Sequence, residues 1–215
     1  MPYGNKSPEF LIERGIAITA YFLSQNIDTI VIACHTSSAT SLPSLKKIFP
    51  HVTYIDMLAP TIDVAAKETK TNRIGVMATQ TSINSHVHKK LLLAQNSSLF
   101  IFEQACPDFV PLVESGASKA ECEPAIKNYL APLIEQNIDT LILGCTHYAF
   151  LENWIQELAP KLTIISAASY LEEPATEQAL RPTLCIKATG QNFLALPAMG
   201  VFQPTDQALE RNVII

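Results

Sequence analysis

A ten-residue phrase occurs twice in this chain, and each copy ends on a cysteine. Gln25-Asn26-Ile27-Asp28-Thr29-Ile30-Val31-Ile32-Ala33-Cys34 is matched by Gln136-Asn137-Ile138-Asp139-Thr140-Leu141-Ile142-Leu143-Gly144-Cys145. Most of the positions that differ exchange one aliphatic side chain for another. Each cysteine is followed by a threonine and a histidine, as Cys34-His35-Thr36 and as Cys145-Thr146-His147. An apolar run of this length between turn signals reads as a buried parallel strand. A repeat that carries its own strand and its own thiol constrains the fold to two halves of like topology. Two matched thiols at strand ends point to a site worked from both faces of one ligand.

Helical and strand patterns alternate around these two copies. Ser7-Pro8-Glu9 reads as a helix start, and Ile12, Ile16, Ala20 and Leu23 as its apolar face. Strands are expected at residues 29–33, 52–55, 73–78, 99–102, 140–144, 162–165 and 184–187. Helices are expected at 38–49, 60–70, 82–94, 121–136, 148–158 and 172–180. Strands joined by helices mean crossovers in a mostly parallel sheet. The expected fold is α/β, with two pseudo-symmetric half-domains, mostly parallel sheets flanked by helices, and the active site between them. Residues 1–70 with about 185–215 are assigned to the first half and about 71–184 to the second.

Bulk composition removes several function classes. With 48% hydrophobic and 16% charged residues over 215 positions, the chain has the material for a large core. A net charge of −5 and the lack of a basic run argue against a nucleic-acid partner. No apolar stretch approaches the roughly 20 residues of a membrane helix. Met1-Pro2-Tyr3-Gly4-Asn5-Lys6-Ser7 lacks the apolar core of a secretory leader. Five cysteines, an odd number without a CxxC pair, favour reduced thiols and a cytoplasmic setting.

A thiol titrates near ~8.5, and a helix amino terminus lowers that value. Both cysteines are expected in strand-to-helix turns, where free N–H groups also cradle a carboxylate. Thr36, Ser37 and Thr146 add hydroxyl donors. Each half therefore offers a proton-transfer thiol beside an anion cradle, and a small carboxylic acid held between them could be deprotonated on one face and protonated on the other. The rival readings are core cysteines, a zinc set of two Cys and two His, and a redox dithiol; the spacings match neither a zinc finger nor a dithiol motif. Cys106, Cys122 and Cys185 read as structural, Trp154 as core, and His51, His86 and His88 as solvated.

At these residues the chain resembles the cofactor-independent aspartate/glutamate racemases, glutamate racemases in particular. Ala33-Cys34-His35-Thr36-Ser37-Ser38-Ala39 and Leu143-Gly144-Cys145-Thr146-His147-Tyr148 resemble the two catalytic motifs of that family. Pro2-Tyr3-Gly4-Asn5-Lys6-Ser7 is similar to its substrate-contacting turn. Ala105-Cys106-Pro107, Val110-Pro111-Leu112-Val113-Glu114-Ser115-Gly116 and Thr189-Gly190 resemble further stretches of it. The resemblance implies interconversion of L- and D-glutamate for peptidoglycan, with no cofactor and no metal. By matching position it makes Cys34 and Cys145 the paired acid and base. Tyr3, Gly4, His35, Thr36, Thr146 and His147 become substrate contacts. It implies glutamate as the small-molecule partner, and leaves a homodimer open.

Three features depart from the family pattern. An Asp-Ser-Gly strand end that normally precedes the Pro-Tyr-Gly turn is not in this sequence, which is the pattern expected of a truncated or misassigned start. That loss is expected to leave a gap beside residues 29–33 and to weaken both stability and activity. His35 stands where the family has Asn. Ile164-Ile165-Ser166-Ala167-Ala168-Ser169-Tyr170 lacks a common acidic residue. The rival functions are a non-catalytic binding homologue and a racemase of aspartate or another small acid.

Overall fold

The computed structural model describes residues 3–167 and the backbone of a strand at Asn212–Ile214. The chain runs α1 (Pro8–Ser24), β1 (Thr29–Ile32), α2 (His35–Thr40), α3 (Leu42–Ile48), β2 (Thr53–Asp56), α4 (Leu58–Glu68) and β3 (Arg73–Ala78). It continues through α5 (Gln80–Ser85), α6 (Val87–Gln95), β4 (Phe100–Ala105), α7 (Phe109–Glu114), α8 (Lys119–Glu135) and β5 (Thr140–Gly144). A 3₁₀ helix at Thr146–Leu151, then α9 (Glu152–Leu158) and β6 (Thr163–Ser166), complete the continuous part; Asn212–Ile214 is β7. One sheet has the order β2-β1-β7 and the other β4-β3-β5-β6, and every pairing is parallel. The α/β class with helices flanking parallel sheets is the one expected.

The two copies of the repeated phrase fold alike from their first residue. Each begins as a long helix ends, and its asparagine takes a left-handed conformation, φ 59° at Asn26 and 52° at Asn137. Asparagine tolerates that region because its short polar side chain bonds locally. The capping bonds correspond as well. Gln25 N–H donates to Phe22 O at 2.9 Å and Asn26 N–H to Leu23 O at 3.0 Å. Gln136 N–H donates to Leu133 O at 3.1 Å and Asn137 N–H to Ile134 O at 2.8 Å. The next aspartate carbonyl starts the neighbouring strand: Asp28 O accepts from Thr53 N–H and Asp139 O from Thr163 N–H.

The two strands differ in what covers them. All five residues of β5 are buried. Leu141 and Leu143 belong to one core cluster with Ile126 and Tyr148, and Ile142 to another with Ile62, Ala65 and its strand neighbour Ile165. β1 alternates, with Ile30 and Ile32 packed on Phe22 and Leu45 while Thr29 and Val31 are half-buried. The expectation that β1 is apolar-covered on both faces is thus met only by its twin. The gap expected beside β1 is filled: Asn212, Val213 and Ile214 pair in parallel with Thr29, Ile30 and Val31.

Other expectations shift by a turn or split. Ser7 caps α1 as expected, accepting from Phe10 N–H at 3.2 Å. The buried face of α1 is Leu11, Ile18, Thr19 and Phe22; of the expected face, Ile16 and Leu23 are half-buried against the core, Ile12 is half-buried and Ala20 is exposed. The expected helix at 38–49 starts at His35 and breaks at Ser41; that at 82–94 breaks at His86, whose φ is 53°. The expected strand at 184–187 and helix at 172–180 lie outside the described residues.

Asp139 has a task its twin lacks. Its carboxylate accepts from Thr69 Oγ1 and from the Lys70 and Thr71 N–H groups at 2.6–2.7 Å, tying the end of α4 to the start of β5. Burial works to raise its pKa, but these bonds outweigh it and hold the pKa at about 2. Asp139→Ala is expected to cost about 1–3 kcal/mol in urea unfolding, since charge-assisted bonds are strong but the site is partly solvated. Asp28, whose carboxylate receives the Thr29 hydroxyl at 3.3 Å, should cost under about 1 kcal/mol on the same change.

Candidate active site

Parallel strands direct their carboxyl ends to one side, and the crossover turns there have free backbone N–H groups. Cys34 follows β1 and precedes α2; Cys145 follows β5 and precedes the 3₁₀ helix. Both have extended backbones and both stand at the N-cap position. The two turns meet at a half-open pocket of about 200 Å³ lined by Tyr3, Gly4, Cys34, Thr36, Thr79, Val110, Glu114, Cys145, Thr146 and His147. Both thiols are free. They are close enough that the charge of Cys34 acts on Cys145.

Tyr3 and Gly4 reach the pocket because α5 pins their turn. Thr81 Oγ1 donates to Gly4 O at 3.0 Å and to Lys6 O at 3.2 Å. A Cβ on Gly4 would fall 2.9 Å from Thr79 Cγ2, so only glycine fits this approach. Beside it a buried hydroxyl triangle joins α2 to the start of α5. Thr36 Oγ1 and Thr79 Oγ1 lie 2.9 Å apart, and Ser82 Oγ is 3.0 Å from Thr79 Oγ1 and 3.3 Å from Thr36 Oγ1. Each hydroxyl serves as donor and acceptor, so the triangle satisfies itself.

On the far wall, Tyr148 fixes the turn that carries Cys145 and His147. Its hydroxyl donates to Cys106 O at 2.8 Å, and its buried ring meets Phe109 edge-on at 5.0 Å. That contact holds α7 against the 3₁₀ helix and sets Glu114, the last residue of α7, beside His147. His147 Nε2 lies 2.7 Å from Glu114 Oε1, and its Nδ1 lies 3.9 Å from Cys145 Sγ. The contact is partly exposed, so its stabilising energy is small. Its consequence is geometric: the carboxylate fixes which way the imidazole faces the thiol.

Burial, not the helix terminus, governs Cys145. Desolvation first and the neighbouring Cys34 second push its thiol up to about 12, against backbone N–H groups of His147 and Tyr148 that favour the thiolate. The expectation of a lowered thiol pKa from the strand-to-helix turn is therefore corrected at this residue. Cys145 rests as a thiol, ready to give a proton. The nearby Cys106 thiol is raised as well, by burial and then by Cys145.

The structure brings seven of the expected residues together: Tyr3, Gly4, Cys34, Thr36, Cys145, Thr146 and His147 all line the pocket. His35 does not. Its ring is 1% exposed and stacks on His88, so the two cysteines and two histidines do not converge as a four-ligand set. His88, expected in solvent, is wholly buried, while His51 and His86 are exposed. Trp154 packs against the core cluster around Tyr148. Thr79, Val110 and Glu114 line the pocket without having been singled out. Glu114 and Val110 sit in a stretch already noted for its resemblance, whereas Thr79 follows β3 as the N-cap of α5, a position that marks a helix start and not a pocket. No helix among the described residues is long and apolar enough to cross a membrane.

The Asp/Glu/Hydantoin racemase family model matches residues 15–172. A glutamate racemase of Carboxydothermus hydrogenoformans is 40% identical over 172 residues, covering 80% of this chain and 63% of the relative. One from Sulfurihydrogenibium is 39% identical over 175 residues, covering 80% and 67%. Among solved structures, a glutamate racemase isoform of Bacillus anthracis superposes with a TM-score of 0.72 at 33% identity, over 78% of this chain and 63% of that one. The Francisella tularensis glutamate racemase, solved in complex with D-glutamate, gives 0.73 at 28% identity, over 80% and 65%. The chain thus spans a little under two thirds of the length of several of these relatives. The family match runs through both copies of the repeated phrase, and the chain belongs to the Asp/Glu/hydantoin racemase family.

Proposed function

We propose that this chain carries the two-thiol site of a glutamate racemase. The single observation behind the reading is that both repeat cysteines line one small pocket with hydroxyl and backbone donors between them. An α-amino acid seated there would present its carboxylate to Thr146, the adjoining N–H groups and Thr36, whose hydroxyl would turn from the triangle to donate. One thiolate removes the Cα proton, leaving the electron pair delocalised into the carboxylate. The other thiol then donates its proton to the opposite face, which inverts the centre and exchanges the roles of the two sulfurs. The ligand's ammonium group offsets the desolvation that keeps Cys145 protonated, so Cys145 can also act as base when the opposite enantiomer binds. His147, oriented by Glu114, stabilises charge at Cys145.

The choice of glutamate over aspartate rests on the named relatives. In that reading the product serves peptidoglycan synthesis, the setting is cytoplasmic, and residues 1–70 with about 185–215 form one half-domain and about 71–184 the other. The test is to incubate the protein separately with L-glutamate, D-glutamate and L-aspartate and separate the enantiomers chromatographically. Convergence of both glutamate samples to equal enantiomers, with aspartate at least about 100-fold slower, is the expected result. Faster turnover of aspartate, or binding of glutamate without inversion, contradicts it. Glu114→Gln should lower kcat by about 10–100-fold with KM within about threefold, because it removes the charge that orients His147.

A further inference from the structure

Behind the pocket, two histidines that the two-thiol chemistry does not use are stacked inside the core. The ring centroids of His35 and His88 are 5.7 Å apart with 18° between the planes. The residues are 1% and 0% exposed. None of their four ring nitrogens has a hydrogen-bond partner among the described residues. A buried imidazole without a partner is costly, and most such sites are filled by apolar residues instead. The placement of these two is specific. His35 is the first residue of α2 and follows Cys34 directly. His88, on α6, lies against the backbone of Gly144, where a Cβ would come within 2.9 Å of its Nε2. Gly144 is the residue before Cys145. The pair therefore runs from one thiol-bearing turn to the strand end that carries the other.

We propose that His35 and His88 form a positioning pair whose stacked rings hold the Cys34 turn in register with the Cys145 turn across the pocket. The proposal rests on the two-thiol reading of the pocket. Proton transfer falls off steeply with misplacement, about 100-fold for 1 Å, so a rigid link between the turns has a direct effect on rate. Burial holds both imidazoles well below their ordinary pKa, and His35 lowers His88 further. They stay neutral at pH 7 and do not add charge beside the thiols.

The experiment reads each thiol separately and needs no turnover. Wild type, His35→Leu, His88→Leu, the double variant and His88→Phe are alkylated with iodoacetamide, and the rates at Cys34 and Cys145 are followed by peptide mass spectrometry. The expected result is a cross-effect: His35→Leu changes the Cys145 rate, and His88→Leu the Cys34 rate, by about threefold or more. The double variant should match the larger single change, and His88→Phe, which keeps a stacking ring, should stay within about twofold of wild type. In glutamate turnover the leucine variants should lose at least about tenfold in kcat with KM within about threefold. Should the leucine variants not fold, His35→Asn and His88→Gln carry the same comparison. If each substitution affects only the thiol next to it, or the two effects simply multiply, the pair is not a link and the proposal fails. If wild type neither racemises glutamate nor exchanges its α-proton, the racemase reading fails, and the alkylation pattern still decides whether the turns are coupled.

Discussion

Replacing Cys145 with serine is expected to lower kcat for glutamate racemisation by at least about 1,000-fold while KM moves less than about threefold. A hydroxyl fills nearly the same space as a thiol and leaves the surrounding donors in place, so the substrate still binds. It is a far weaker acid, and the thiol it replaces is already pushed up to about 12 by burial and by Cys34. Cys34→Ser should behave alike, because the proposed mechanism gives each sulfur one half of the same proton exchange. Steady-state kinetics in both directions, with glutamate affinity measured by calorimetry, check this. A Cys145→Ser protein with near-normal kcat would remove that sulfur from the chemistry.

The second large effect is on stability in acid. In the unfolded chain both imidazoles titrate near 6.5; burial lowers His35 to about 4, and burial together with His35 lowers His88 to about 3. Above pH 6.5 the rings are neutral in both states and add no pH dependence. As the pH falls through 6.5 the unfolded chain takes up protons that the folded chain refuses, so stability declines until the folded values are reached. The loss between pH 7 and pH 4 should be on the order of 5 kcal/mol for the pair, enough to unfold a domain of ordinary stability. Asp139 adds its own loss only below about 3.8, as the pH approaches its folded value of about 2. Urea unfolding at pH 7.5, 6, 5 and 4.5 reads the histidine window alone, because all four values lie above the range in which Asp139 contributes. In the His35→Leu, His88→Leu double variant the decline above pH 4.5 should be largely gone.

The two matched strand-and-turn segments were legible because the repeat carries its own structural instructions. Gln-Asn ends the helix, Asp starts the neighbouring strand, and the aliphatic run fills the sheet, so two copies of the phrase mean two copies of the turn. The pocket followed from the same logic, since parallel strand ends gather their turns. What escaped were properties set by distant neighbours. The buried face of α1 is rotated because Leu45 and Ser41 pack against Gly15, where the helix approaches α3 closely, and period alone left that face undecided. His88 looked solvated in a stretch with Lys89 and Lys90, and only the approach of His35 and Gly144 puts it in the core. Glu114 becomes a pocket residue through Tyr148 and Phe109, a contact between elements far apart in the chain. The pKa of Cys145 was misjudged for the same reason: the helix terminus is local, and the burial that outweighs it is not.

The central claim, that two thiols on opposite faces exchange the α-proton of one amino acid with solvent, is tested most directly by deuterium. L-glutamate is incubated with the protein in deuterated water, and early time points are separated by enantiomer and weighed by mass spectrometry. With two opposed bases the account predicts one deuterium at Cα in the newly formed D-glutamate from the first turnovers, while the remaining L-glutamate stays largely unlabelled. Inversion without deuterium, or equal labelling of both enantiomers from the start, would contradict it.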